Sequence, residues 1–178
     1  MPINIEIKAR LRDRSRALVR AAAMADGPAR ILHQEDTFFH GRKGRLKLRI
    51  ESGGPAQLIY YERSDGSGPK PSNYYITRID DPDPLAFSLE HALGIRGRII
   101  KERTLFLVGR TRIHLDRVTG LGDFMELEVV LEEGQSREDG AKEAESLMRE
   151  LGIPEEDRVE GAYMDLLESL NKGALNKD

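Results

Sequence analysis

Residues 3–10 read Ile3-Asn4-Ile5-Glu6-Ile7-Lys8-Ala9-Arg10. Apolar and polar residues alternate at each step, which is the period of an extended strand whose side chains point to opposite faces in turn. Ile3, Ile5, Ile7 and Ala9 share one face, and Asn4, Glu6, Lys8 and Arg10 share the other. The pattern returns along the chain. Leu46, Leu48 and Ile50 oppose Arg45, Lys47 and Arg49; Ile113 and Leu115 oppose Arg112, His114 and Asp116; Leu127 and Val129 oppose Glu126 and Glu128. Lys101 and Arg103 also share a face, and Arg63 ends its strand on the face of Tyr61.

Extending this reading predicts strands over 3–10, 31–40, 44–51, 56–63, 74–80, 96–108, 111–117 and 123–132. The turn formers of residues 64–73 predict a loop, and helices are expected over 13–25, from Asp83-Pro84 to Gly94, and from an N-cap at Ser136 to about 151. A last helix is expected to open at Pro154, with Glu155, Glu156 and Asp157 suiting its positive N-terminal end. The class is α+β, dominated by an antiparallel sheet of about eight strands. All 178 residues are expected to form a single domain, with a frayed tail after about residue 170.

The bulk numbers exclude several function classes. Hydrophobic residues make up 39 % and charged residues 33 %, and the net charge is -3. A general nucleic-acid or membrane-surface binder carries a basic excess, which is absent here. There is no Cys, which removes disulfides, thiol nucleophiles and Cys-ligated zinc. No apolar run is long enough for a membrane span and no leader is legible, so the expected address is the cytoplasm.

Alternation alone fits a sheet with one solvated face. Two features argue for more. The polar positions are almost all charged, and their signs are segregated: bases dominate the middle strands, and carboxylates sit in the first and the last two. Like charges crowded on one concave face repel, so such a face wants a polyanion and cations to neutralise it. A triphosphate with a divalent metal supplies both. Arg and Lys stabilise the charge that develops on phosphate oxygens, and Mg²⁺ or Mn²⁺ takes hard carboxylate oxygens such as those of Glu126 and Glu128.

The same residues resemble the CYTH superfamily, the triphosphate tunnel enzymes, which include class IV adenylyl cyclases and thiamine triphosphatases. Asn4-Ile5-Glu6-Ile7-Lys8 resembles the defining E-x-E-x-K motif, and Arg45-Leu46-Lys47-Leu48-Arg49 the basic second motif. Lys101-Glu102-Arg103 is similar to the K-x-R strand, and His114-Leu115-Asp116 with Phe124-Met125-Glu126-Leu127-Glu128 to the acidic ending. Residues 161–167 resemble the C-terminal helix. The resemblance implies an eight-stranded antiparallel closed β-barrel, a tunnel, with flanking helices. It implies metal at Glu6, Asp116, Glu126 and Glu128, and phosphate at Lys8, Lys47, Arg49, Lys101 and Arg103. Lys8, Arg49, Lys101 and Arg103 would stabilise the reacting phosphate, and Arg45, Arg63 and Arg112 would extend the substrate grip. His33–Phe39 and Leu121–Phe124 look closer to the cyclase branch. Asn4 departs from the motif, placing a neutral amide where a carboxylate is usual, and Lys47 stands where Arg is common.

Other residues carry weaker signals. The four histidines show no ligand spacing, and a structural role is the expectation for His114. Lys70 is expected on the surface of its loop and Tyr163 in packing. No phosphate-binding glycine loop is present. The leading functional expectation is a metal-dependent enzyme acting on ATP, thiamine triphosphate or tripolyphosphate, as a cyclase or a triphosphatase. A non-catalytic nucleotide or polyphosphate module is the second, supported by Asn4. An RNA-binding β-protein is disfavoured by 6 % aromatics and no Trp. No nucleic-acid or membrane partner is expected, and a homodimer stays open.

Overall fold

The computed structural model describes residues 3–175. In chain order it contains β1 (Ile3–Arg10), α1 (Arg14–Met24), β2 (Arg30–Phe39), β3 (Arg45–Glu51), β4 (Ala56–Arg63), β5 (Lys70–Ile79), α2 (Pro82–Leu93), β6 (Ile95–Val108), β7 (Thr111–Val118), β8 (Gly122–Val130), α3 (Arg137–Leu151) and α4 (Tyr163–Leu175). The strands close into a barrel in the order β1-β5-β4-β3-β2-β6-β7-β8. Each neighbouring pair is antiparallel, and β8 pairs with β1 to complete the ring. Among the described residues, closure leaves no open sheet edge.

The barrel turns its apolar faces outward. Ile5, Ile7 and Ala9 of β1 pack with Ile113, Leu115, Met125 and Leu127 against Ala17 and Ala21 of α1 and Ala144, Leu147, Met148 and Leu151 of α3. The main hydrophobic core therefore lies between barrel and helices, which leaves the charged faces of the strands directed inward. Gly140 permits the close approach of α3, since a Cβ there would lie 2.8 Å from Ile5 Cγ1. A second cluster, Phe38, Ile99, Val118, Phe124, Tyr163 and Met164, closes one end of the barrel beneath α4.

The helix ends follow their sequence signals. Asp13 caps α1 by accepting from Arg16 N at 2.9 Å, and Ser136 caps α3 by accepting from Asp139 N at 3.1 Å. Gly152 ends α3 in the left-handed conformation at φ 70°.

Three expectations are corrected. β5 begins at Lys70, inside the stretch read as a loop, because Pro71 and Lys70 pair with Ile5 and Glu6 of β1. A proline within a paired strand carries a loop signature in sequence. Second, residues Glu155–Asp157 form a single 3₁₀ turn and the chain then runs extended, Val159 N donating to Lys8 O at 3.0 Å. The last helix begins only at Tyr163, where Asp165 accepts from Ala162 N at 2.7 Å, the reciprocal half of a capping box. Third, that helix continues past residue 170 to Leu175; residues 176–178 lie outside the described part.

Candidate active site

Because the strands alternate, the inner wall is built from cross-strand pairs of opposite charge. Lys8 lies opposite Glu126, Arg112 opposite Glu128, Arg49 opposite Asp36 and Arg103 opposite Asp116. All of these but Asp116 line a cavity of about 340 Å³ running through the barrel. Seven of its lining residues are Lys or Arg and four are Asp or Glu, so the interior carries a surplus of positive charge although the whole chain is negative. Tyr163 and Ala162 line the end capped by α4.

Most candidates from the sequence meet in this cavity: Asn4, Glu6, Lys8, Lys47, Arg49, Arg63, Lys101, Arg103, Arg112, Glu126 and Glu128 all line it. Glu126 is the hub of the wall. Its carboxylate accepts from Lys8 Nζ at 3.2 Å, Arg103 Nη2 at 3.0 Å and Arg63 Nη1 at 3.4 Å. Arg63 also donates to Glu6. Glu128 accepts from Arg112 Nε at 2.8 Å through Oε2.

Two candidates do not join the lining. Asp116, read as a metal ligand, is fully buried behind it, accepting from Arg103 at 2.7 and 2.6 Å, Tyr163 Oη at 2.8 Å and Lys101 at 3.4 Å. Its oxygens are taken up in orienting Arg103, Lys101 and Tyr163, and it does not reach the cavity. Arg45, read as a substrate ligand, is held by Asp65 at 2.6 Å and Asp165 at 2.9 Å outside the cavity.

Four residues gain roles that the sequence reading did not assign. Asp36, 2 % exposed, accepts from Lys47 at 2.7 Å and from both Arg49 Nε and Nη2 at 2.7 Å, so it orients two bases at once. Its inward parity on β2 was the available signal. Lys70, expected at the surface, is buried opposite Glu6 and donates to Gly66 O. Tyr163 does more than pack, since its ring lies 4.3 Å from Lys8 Nζ and 5.1 Å from Lys101 Nζ. His114 lines the cavity beside Glu126 and Glu128, and the donor atoms of the three lie within 4.8 Å of one another.

Burial and crowding displace the titrations. Desolvation, reinforced by Arg103, brings Lys101 down to about 7, and desolvation with Arg49 brings Lys47 to about 8. Desolvation and Arg63 lower Lys70 to about 8. Burial raises Glu6, with Glu128 and Glu126 adding to the shift and Arg63 opposing it. Burial works against ionisation of Glu126, yet Lys8, Arg103 and Arg63 together hold it well below the ordinary range. Burial also lowers His114, to about 3, leaving the imidazole neutral.

The geometry fits a polyanion gripped by the bases and a divalent cation near the acidic wall. Glu6, Glu126 and Glu128 supply hard oxygens, and the buried Asn4 Oδ1 has no hydrogen-bond partner. The CYTH domain family matches residues 2–163. The chain belongs to the CYTH family. Several solved structures share its fold. Protein PH1012 of Pyrococcus horikoshii superposes with a TM-score of 0.81 at 23 % identity, covering 92 % of this chain and 99 % of that one. A Vibrio parahaemolyticus protein with a provisional adenylate cyclase name gives 0.76 at 18 % identity, covering 93 % and 98 %. A Hippeastrum protein, provisionally an adenylyl cyclase and described with a dominant triphosphatase activity, gives 0.64 at 20 % identity, covering 95 % and 96 %. No curated protein matches the chain significantly. As a CYTH protein the chain is of the triphosphate-acting type, and no helix among the described residues is long and apolar enough to cross a membrane.

Proposed function

We propose that this CYTH protein is a divalent-metal-dependent enzyme acting on a triphosphate held inside the barrel, most closely of the class IV adenylyl cyclase type. The supporting observation is the surplus of bases on an enclosed wall on which three of the four acidic residues, Glu6, Glu126 and Glu128, cluster on the paired strands β1 and β8. Lys8, Arg49, Lys101 and Arg103 grip phosphate oxygens and stabilise charge on them, with Lys47, Arg63 and Arg112 extending the grip along the chain of phosphates. Asp36 within the wall and Asp116 behind it aim these bases. Glu126 and Glu128, with Glu6, hold Mg²⁺ or Mn²⁺, which when bound supplies Lewis-acid charge to the phosphates.

In the cyclase reaction the ribose 3′-hydroxyl oxygen of ATP bonds to the α-phosphorus, the bond to the bridging oxygen breaks, and pyrophosphate leaves with cyclic AMP as the other product, the hydroxyl proton passing to solvent or to the released pyrophosphate. Hydrolysis of thiamine triphosphate or tripolyphosphate is the second reading: Asn4, in place of the first carboxylate of the motif, weighs against the cyclase assignment without favouring a particular alternative. The same wall serves both, since the register of the phosphates along it decides which phosphorus meets the nucleophile. Purified protein is incubated with ATP, thiamine triphosphate and tripolyphosphate, with Mg²⁺ or Mn²⁺, and products are separated chromatographically. Cyclic AMP supports the cyclase, and orthophosphate release the triphosphatase. Tight binding with no turnover of any of the three leaves a binding module, and Asn4→Glu is then the variant expected to gain turnover.

A further inference from the structure

His114 is the one histidine on the inner wall, and its position is unusual for a packing residue. It sits on β7 opposite Glu126 of β8, with Glu128 two residues along the same face. The side chain is only 5 % exposed, and its Nδ1 is buried with no hydrogen-bond partner. That nitrogen lies 3.6 Å from Glu128 Oε1, beyond hydrogen-bonding range. Arg112 binds the other oxygen of Glu128, which leaves Oε1 facing the imidazole. An orphaned nitrogen and a carboxylate oxygen at this separation can share one ion with bonds of about 2.0–2.2 Å. Glu126 supplies the third donor within 4.8 Å, and Lys8, Arg63 and Arg103 are the cations that face it.

We propose that His114 is a metal ligand, completing with Glu126 and Glu128 a mixed nitrogen and oxygen site that selects a first-row transition ion such as Mn²⁺ over Mg²⁺. The inference rests on the metal reading above and deepens it. Magnesium favours all-oxygen surroundings and keeps several waters, whereas an imidazole nitrogen is a ligand for first-row transition ions, least strongly for Mn²⁺ and more strongly for the ions after it. An acidic pair alone would bind either ion, and the histidine is what makes the site discriminate.

The test uses the full-length protein with Mn²⁺ alone, read by electron spin echo spectroscopy, which detects a nitrogen bonded directly to the ion. Wild type is expected to show ¹⁴N modulation. His114→Gln and His114→Asn, each checked for folding by circular dichroism, are expected to lose it and to bind Mn²⁺ at least roughly tenfold more weakly, with Mg²⁺ affinity changed by less than about twofold. Bound Mn²⁺ without ¹⁴N modulation in wild type overturns the role of His114 and leaves the triphosphate and carboxylate readings standing. Failure of wild type to bind Mn²⁺ at all overturns both the ligand and the metal reading. Equal losses of Mn²⁺ and Mg²⁺ affinity in both variants overturn the selectivity.

Discussion

Glu126 and Glu128 stand two residues apart on one strand, yet they have different dependants. Glu126 neutralises the buried Lys8 and Arg103, whereas Glu128 pairs with Arg112, whose side chain is 33 % exposed. Glu128→Gln is therefore expected to lower metal-dependent turnover by about 10²-fold or more while the melting temperature stays nearly unchanged. Glu126→Gln is expected to lose turnover and also stability, because removing one partner leaves buried cations uncompensated. Steady-state kinetics beside thermal melts checks both, and equal destabilisation by the two variants would contradict the assignment. The lysines give a second prediction. Near pH 8 Lys101, at about 7, is largely deprotonated in the free protein and Lys47 and Lys70, at about 8, are partly so, and a bound polyanion raises all three. The complex then holds more protons than the free protein, so tripolyphosphate affinity should fall as pH rises through 7 to 9. Calorimetry in buffers of different ionisation enthalpy should register proton uptake at pH 8.

At the scale of elements, two contacts hold the helices that force the charges inward. Gly140 lets α3 lie on β1, where a Cβ would come within 2.8 Å of Ile5 Cγ1. Gly140→Leu is expected to lift α3 from the barrel and cost about 1–3 kcal/mol by overpacking, more than the gain of about 1 kcal/mol in helix propensity. The melting temperature should drop by several degrees while turnover per folded molecule stays near wild type. An unchanged melting temperature would show that α3 does not need that approach. The α4 end behaves differently, because its helix reaches the chemistry: Tyr163 Oη donates to Asp116 at 2.8 Å. Tyr163→Phe should leave the barrel intact and weaken substrate binding, since Asp116 loses a restraint while it orients Arg103 and Lys101.

Across the whole molecule, a chain of net charge -3 encloses a wall with a positive surplus. Self-repulsion of that wall is relieved when a polyanion enters, so ligand binding and stability are linked. Tripolyphosphate at 100 times its Kd is expected to stabilise the fold by about 2.7 kcal/mol, which for a domain of this size is a rise of about 5–11 °C in melting temperature. Orthophosphate at equal ionic strength should produce much less. Equal shifts from the two would mean general screening and not a built triphosphate site.

Much of this organisation is legible in residues 3–10, where the alternation places Glu6 and Lys8 on the face opposite Ile5 and Ile7. Strand parity is a local property, so the sequence by itself determined the strands, the segregation of apolar from charged faces and the ordered motifs of the family. It did not place Lys70, because Pro71 disguises a paired strand, nor the start of α4, because acidic residues at 155–157 suit a 3₁₀ turn as well as a longer helix. Nor could it separate Asp116 and Arg45 from the residues that reach the cavity, since parity states a face and not a depth or a partner. Only the tertiary structure decided these matters. Barrel closure brings strands distant in sequence side by side, and the partner that each charge meets across the wall, such as Asp36 for Arg49 or Glu128 beside His114, depends on that register.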